Sequence, residues 1–246
     1  MNPITISERL VEELRGVEFE PPISHTYQPL EYAWEPHKLY LERYGQRRPR
    51  PVMLVGMNPG PWGMAQNGVP FGTIELVRDW LGVEAPVGQP DDLHPKRPVD
   101  GFDCERSEVS GSRLWGWAQE RFGTAERFFE TFFVHNYCPL LILDEDGKNR
   151  TPPQLRKGEK AQVLPPCDRA LQELVAYFEP QWVIGVGAFA EKSIQRALKK
   201  SGFGGTIGRV LHPSPASPMA NRGWAAQAEA ELEAMGVPLG AKIGSK

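Results

Sequence analysis

The sequence predicts an α/β fold in which a four-stranded parallel sheet is covered by helices on both faces. Four short apolar segments recur along the 246 residues, and each is followed by a stretch with helical spacing. Strands that alternate with helices are typical of βαβ units, which form parallel sheets. The apolar segments are nearly continuous, as expected of strands buried on both faces of a sheet.

Each element can be assigned in chain order. Strands are predicted at residues 51–57, 132–137, 181–187 and 206–211. Helices are predicted at residues 6–16, 30–45, 112–122, 125–130, 167–178, 188–202 and 220–235, with a further helix from Thr73. The segments 85–103 and 144–166 are rich in proline and are predicted to be loops. We expect a single domain over residues 1–246, with N-terminal helices in residues 1–50 and a loose tail at residues 236–246.

Composition excludes several classes of protein. The three cysteines are far apart and form no CxxC motif, which favours a reducing compartment and argues against a zinc knuckle or an all-cysteine iron–sulfur cluster. No apolar run approaches the ~18 residues of a membrane span. The start has no basic region followed by an apolar one, so we predict an intracellular protein that is not secreted, cytoplasmic in a bacterium or nuclear in a eukaryote.

The segment GMNPGPWGMAQNGVPFG at residues 56–72 follows the first predicted strand. It contains five glycines and three prolines in seventeen residues. Loops of this length inside a compact domain are usually functional or disordered. Glycine allows close approach of a ligand and proline fixes the backbone, so the mixture predicts a loop shaped around a bound molecule.

Polar side chains follow three of the four predicted strands. They lie in the segments Met57–Gly60, His135–Asn136 and His212–Pro215. Taken alone, Asn58 is more typical of a turn and His212 of a surface loop. Ligands of parallel sheets bind beyond the carboxyl ends of the strands, so the three segments together predict one crevice.

The candidate chemistry depends on amides, an imidazole and backbone donors. The segment GVGAFA at residues 185–190 fits a dinucleotide fingerprint only loosely, and no acidic residue follows at the expected spacing. No pair of carboxylates and no metal-binding spacing of His and Asp is visible. The remaining groups, which are amides, an imidazole and backbone N–H donors, suit the stabilisation of a leaving anion.

Two long motifs, GMNPGPWGMAQNGVPFG and HPSPASPMANRGW, resemble the signatures of the single-strand-selective monofunctional uracil-DNA glycosylases. Intervening segments such as HPKRPVDGFDCERSEVSGSRLW, VHNYCPL, GKNRTPPQL and VIGVGAFAE are also similar, and the resemblance covers residues 50–235. It implies a three-layer α/β/α sandwich around a four-stranded parallel sheet. It further implies hydrolysis of the N-glycosidic bond of uracil and 5-substituted uracils in DNA, without a metal or cofactor and without lyase activity.

The resemblance also implies roles for individual residues. The catalytic residues would be Asn58, which holds the attacking water, and His212, which donates to uracil O2. The substrate-binding residues would be Met57, Gly60, Met64, Phe71 and Asn136. Gly60 stands where better-known uracil glycosylases carry a tyrosine, so we expect room for a 5-substituent beside it.

The implied partner is single- or double-stranded DNA, bound by a monomer. The window from Glu191 to Arg222 holds six basic residues against one acidic residue, which suits phosphate contacts, although such clusters are often only solvated surface. The DNA-binding residues would be Ser214, Ala216, Met219, Asn221, Arg222 and Lys192. Met219 and Arg222 are candidates for filling the space left by a flipped base. Two alternatives stay open: a glycosylase favouring deaminated purines such as xanthine, and a nucleic-acid-binding module without chemistry.

Overall fold

The computed structural model describes residues 1–240. The strands are β1 (Ile23–Tyr27), β2 (Val52–Gly56), β3 (Phe132–Asn136), β4 (Leu141–Asp144), β5 (Trp182–Val186) and β6 (Thr206–Val210). The helices are α1 (Pro3–Leu14), α2 (Pro29–Tyr32), α3 (Trp34–Tyr44), α4 (Met64–Asn67), α5 (Val109–Phe122), α6 (Ala125–Thr131), α7 (Lys157–Phe178), α8 (Ala188–Leu198), α9 (Pro218–Asn221) and α10 (Trp224–Ala234). Shorter turns are a π-helical turn at Leu76–Trp80 and 3₁₀ turns at Gly101–Asp103 and Pro152–Gln154.

The main sheet has four parallel strands in the order β3-β2-β5-β6. From β2 the chain passes to β3 on one side, and it later returns to β5 on the other side. The order of strands therefore reverses direction at β2, and this is where open parallel sheets bind ligands. All four strands end at the same edge of the sheet, so the loops that follow β2, β3 and β6 meet there.

Helices cover both faces of this sheet, and the alternation of side chains along β3 shows the two layers. Phe132 packs against Trp117 of α5 and Phe128 of α6. Its neighbour Phe133 points to the other face and packs against Phe178 of α7. Helices α1 and α8 pack on α7 in that second layer. The predicted three-layer α/β/α sandwich around a four-stranded parallel sheet is confirmed.

A second, two-stranded antiparallel sheet was not predicted. It pairs β1 with β4, which begins only five residues after β3 ends. Only the four residues 137–140 separate β3 from β4, and they contain a single turn-forming residue, Pro139, so the sequence does not separate the two strands. Tyr27 and Leu141 of this sheet belong to a small apolar cluster of their own.

The prediction that residues 144–166 form a loop is wrong in its second half. Helix α7 begins at Lys157 and contains Pro165 and Pro166. Prolines normally break helices, which is why the sequence favoured a later start. The first turn is stabilised because Glu159 accepts a hydrogen bond of 2.6 Å from the Arg156 backbone N–H. Val163, in the second turn, is completely buried in the core.

Two predictions near the C-terminus also need correction. The single helix predicted at 220–235 is divided into α9 and α10, which are separated by Gly223 with a φ of +133°. The predicted loose tail is wrong for residues 236–240, because Val237 and Leu239 are buried in the main core and Arg121 donates to the Gly240 carbonyl. The rest of that predicted tail, residues 241–246, lies outside the described residues.

Candidate active site

A cavity of about 410 Å³ lies at the carboxyl ends of β2, β3 and β6. All seven residues predicted to be catalytic or substrate-binding line it: Met57, Asn58, Gly60, Met64, Phe71, Asn136 and His212. The predicted convergence of the three strand ends on one crevice is therefore confirmed. The roles of the individual residues remain predictions, because they concern a reaction.

Gly56 brings two of these residues together at the end of β2. A Cβ atom at Gly56 would lie 2.5 Å from Cε2 of Phe71 and would overlap Oδ1 of Asn136. Only a glycine leaves space for the ring and the amide at this position. Phe71 itself has a φ of +56°, a strained conformation that is uncommon for a bulky residue and is often found at functional sites. The loop thus orders an aromatic face beside an amide.

Asn136 is the last residue of β3 and is only 4% exposed. Its Nδ2 lies 3.2 Å from Sδ of Met64, which is a weak acceptor. Its Oδ1 is buried and has no hydrogen-bond partner in the structure. Leaving a buried acceptor unpaired costs about 1–3 kcal/mol, so this oxygen is a strong candidate for contact with a ligand.

Asn58 lines the same cavity. Its Nδ2 is held by the protein, since it donates to the Leu140 carbonyl and to Oδ1 of Asn149, both at 3.2 Å. Asn149 in turn donates to the Pro59 carbonyl at 2.9 Å. These bonds fix the orientation of the Asn58 amide and leave Oδ1 as an acceptor without a partner among the described residues.

His212 follows β6, and its ring centroid lies 6.3 Å from that of Phe71. The imidazole has no hydrogen-bond partner within residues 1–240, and its burial lowers the pKa of His212, so the ring is neutral near pH 7. Arg113 of α5 holds the following backbone by donating to the carbonyls of Pro213 and Ser214. A neutral imidazole with a free N–H is thereby positioned at the cavity wall.

His135 does not join its neighbour Asn136 in the cavity. Successive side chains of a strand point to opposite faces, so His135 faces α3. Burial there lowers the pKa of His135, and the nearby imidazole of His37 lowers it further. Of the predicted segment His135–Asn136, only the amide lines the cavity.

Glu108 is a cavity residue that the sequence reasoning missed. It precedes α5, and Oε1 accepts a hydrogen bond of 3.1 Å from the Trp62 backbone N–H. A Cβ atom at Gly60 would overlap the Glu108 carboxylate, and a Cβ atom at Gly63 would lie 2.7 Å from Oε2. The Glu108 carboxylate therefore occupies the position that a side chain at Gly60 would take, and the expected room for a 5-substituent in this cavity stays a prediction. Only the run RSEVSG, part of the segment quoted above, pointed to this position in the sequence.

The loop after His212 forms an ordered protrusion. Ser217 caps α9, Asn221 donates to the Pro215 carbonyl at 2.9 Å, and Arg113 donates to Oδ1 of Asn221 at 2.8 Å. Its tip carries Met219, whose side chain is 55% exposed. Of the other predicted DNA-binding residues, Ser214 is half-buried within the loop, and the remaining ones, Ala216, Arg222 and Lys192, are exposed. Pro215 alone connects this protrusion to the cavity lining.

The basic window is less charged than the sequence indicated. Arg196 forms an ion pair of 2.9 Å with Asp168, and Arg209 forms one of 3.3 Å with Glu191. The other four basic side chains have no ion pair among residues 1–240. They are Lys192, Lys199, Lys200 and Arg222. Within residues 1–240, only those four side chains of the window carry a charge that no ion pair offsets.

None of the helices within residues 1–240 combines the length and the hydropathy that a membrane span requires. Within the same range, no group of three or more His, Cys, Asp or Glu side chains could hold a metal ion.

Comparison with known proteins agrees with the geometry. The family model described as the Uracil DNA glycosylase superfamily matches residues 42–233. The chain is 48% identical over 229 residues to the single-strand selective monofunctional uracil DNA glycosylase of Bos taurus, covering 93% of this chain and 84% of that protein. It is 47% identical to the protein of the same name from Mus musculus, covering 93% of this chain and 82% of that protein.

A solved structure shares the fold at low sequence identity. SMUG2 of Pedobacter heparinus superimposes with a TM-score of 0.66 and 15% identity, covering 94% of this chain and 97% of that chain. This structure shows the shared fold alone, whereas the family match and the two mammalian relatives establish the family of the chain. The chain belongs to the uracil DNA glycosylase superfamily and, within it, to the single-strand selective monofunctional family. This membership confirms the enzyme class expected from the sequence, a uracil-DNA glycosylase.

Proposed function

We propose that this protein releases uracil, and also 5-substituted uracils such as 5-hydroxymethyluracil, from single- and double-stranded DNA by hydrolysing the bond between the base and C1′. The observation that carries the proposal is the buried, unpaired Oδ1 of Asn136 beside the ring of Phe71. A pocket with an aromatic wall and one unsatisfied acceptor suits a flat base that offers a donor. Family membership supports uracil as that base.

Asn136 accounts for the choice of base. Uracil offers the N3–H donor next to the O4 acceptor, and an amide offers the matching pair, Oδ1 as acceptor and Nδ2 as donor. The weak contact of Nδ2 with Met64 is readily replaced by a stronger one to O4. Cytosine presents an acceptor at N3 and a donor at N4, so it would leave Oδ1 facing a lone pair. The base reaches the pocket only after flipping, which costs a few kcal/mol and least in single strands.

His212 accounts for the departure of the base. When the bond between C1′ and N1 breaks, its electron pair stays on uracil and the sugar becomes an oxocarbenium ion. The free N–H of the neutral His212 donates to O2, where negative charge accumulates. We place the Met57 backbone N–H near the same oxygen, because Met57 lines the same cavity between the ends of β2 and β6. Donors aimed at a developing charge are among the strongest catalytic contributions.

Asn58 accounts for the water. Its Oδ1 accepts a hydrogen bond from a water molecule, whose oxygen adds to C1′ so that an abasic site is formed. The proton that this water loses passes to solvent, and the departing uracil anion takes up a proton from solvent. The fixed Nδ2 keeps this oxygen in place. No lysine lines the cavity among the described residues, which supports hydrolysis without the lyase step that an amine nucleophile would provide.

The DNA strand is proposed to cross the surface formed by the ordered protrusion. Arg222 and Lys192 would contact phosphates, Ser214, Ala216 and Asn221 would hold the backbone near the cavity, and the exposed Met219 would enter the space left by the base. Phosphate contacts of this type give affinity without sequence preference. One main core extends from Ile6 to Leu239, which supports a single domain, and we propose that this domain acts as a monomer.

The test is release of the free base from single-stranded oligonucleotides that contain uracil, 5-hydroxymethyluracil, xanthine or hypoxanthine, measured in the presence of EDTA. Uracil and 5-hydroxymethyluracil should be released, the two purines much more slowly, and no strand should be cut. Faster release of xanthine would favour the purine-directed alternative. If no base were released, the result would favour the other alternative, a nucleic-acid-binding module without chemistry.

A further inference from the structure

Glu108 is a carboxylate in the cavity wall for which the reaction described above has no use. Both of its oxygens lie beside the loop that follows β2, in space left free because Gly60 and Gly63 have no side chains. It forms no ion pair with any residue of 1–240, and its one polar contact is the Trp62 backbone N–H at Oε1. Burial raises the pKa of Glu108. Burying a carboxylate without an ion pair is costly, and a hydrogen-bond donor on a bound ligand would offset that cost.

The position of Glu108 relative to a bound uracil follows from its neighbours. Nδ2 of Asn136, which faces O4 in the proposed complex, lies 3.2 Å from Met64. Met64 begins the short helix α4. Gly60 lies in the turn just before this helix, and its carbonyl accepts hydrogen bonds from the backbone N–H groups of Gly63 and Ala65. Around a uracil ring, the atom after C4 on the side away from N3 is C5. The loop beside Met64, with the carboxylate seated on it, therefore faces the C5 edge.

We propose that Glu108 determines which 5-substituents the enzyme accepts. Its carboxylate accepts a hydrogen bond from a substituent that carries a donor, such as the hydroxyl of 5-hydroxymethyluracil. This inference rests on the proposed function, because it assumes the orientation given by Asn136 and His212. A carboxylate has only acceptor oxygens, so a substituent that offers only an acceptor, such as a formyl group, gains nothing from it. Uracil itself has only a hydrogen atom at C5 and makes no such bond.

The decisive variant is Glu108→Gln, which keeps the size of the side chain and an oxygen for the Trp62 N–H but removes the charge. Hydrogen bonds to charged groups are about twice as strong as neutral ones. We therefore expect single-turnover release of 5-hydroxymethyluracil to fall by about tenfold or more relative to uracil. Release of 5-formyluracil relative to uracil should not fall. Glu105→Gln is the matched control, since Glu105 is exposed, lies outside the cavity lining and carries the same charge.

The outcomes separate this inference from the proposed function. Equal changes on all three bases in Glu108→Gln would mean that Glu108 only supports the loop or the chemistry, and would overturn the inference. An unchanged ratio of 5-hydroxymethyluracil to uracil would overturn it as well. If the wild-type enzyme released uracil but no 5-hydroxymethyluracil, the proposed substrate range itself would be wrong.

Discussion

Replacement of His212 by alanine tests the stabilisation of the leaving base. The side chain has one N–H available, no partner within residues 1–240 and a pKa lowered by burial, so the variant loses one neutral donor aimed at uracil O2. Loss of a single donor of this kind typically slows the chemical step by about 10²–10³-fold, or roughly 2.7–4 kcal/mol. The loop itself should survive, because Arg113 holds the carbonyls of Pro213 and Ser214 without help from the imidazole.

The assay is single-turnover release of uracil from a labelled single strand, with enzyme in excess and abasic sites revealed by alkali. His212→Gln should lose less than His212→Ala, because its amide keeps a donor. His25→Ala is a control for histidine replacement outside the cavity, as His25 lies on β1 in the second sheet. Binding to a strand with a 2′-fluorinated uridine, whose bond resists cleavage, should stay within a few-fold of wild type. A chemical rate for His212→Ala within threefold of wild type would refute the assigned role.

Three further predictions follow from other parts of the molecule. Asn58→Ala should slow single-turnover release while leaving DNA binding intact, and a loss of binding equal to the loss of rate would contradict this. Arg222→Ala should lower the slope of log affinity for single-stranded DNA against log salt by about 0.7, whereas Arg209→Ala, whose guanidinium is paired within the protein, should change it less. Burial lowers the pKa of His37 to about 4 and of His135 to about 3. In the unfolded chain both imidazoles have an ordinary pKa and are protonated more readily than in the folded protein. Urea titrations should therefore show that the free energy of unfolding falls by roughly 2 kcal/mol per histidine between pH 7 and pH 5. His37→Asn should remove about half of the combined loss from the two histidines, and no loss in the wild type would contradict the reasoning.

The sequence was sufficient for the main sheet and for the three strand-end segments that meet at the cavity. Both depend on local signals, namely apolar strands followed by helices and polar side chains at strand ends. These signals are sufficient to predict the crevice because the carboxyl ends of parallel strands lie at the same edge of the sheet. The second sheet escaped because β1 and β4 are distant in the chain and neither has a turn that marks a hairpin.

The part of the site that the sequence could not reveal depends on contacts between distant segments. Nothing near Gly60 in the chain indicates that the carboxylate of Glu108, which precedes another helix, fills the space beside it. The close approach of Phe71 and Asn136 across Gly56 is likewise visible only in three dimensions. The same limit applies to charge, since the ion pair of Arg196 with Asp168 joins two helices and cannot be read from the basic window alone.

The central claim is that the unpaired Oδ1 of Asn136 receives the N3–H of a flipped uracil. The most direct measurement compares single-turnover release of uracil and of 3-methyluracil, which has no N3–H, by the wild-type enzyme and by Asn136→Ala. The wild type should release uracil and leave 3-methyluracil almost untouched, and Asn136→Ala should release uracil slowly with little discrimination between the two bases. Comparable release of both bases by the wild type would contradict the claim.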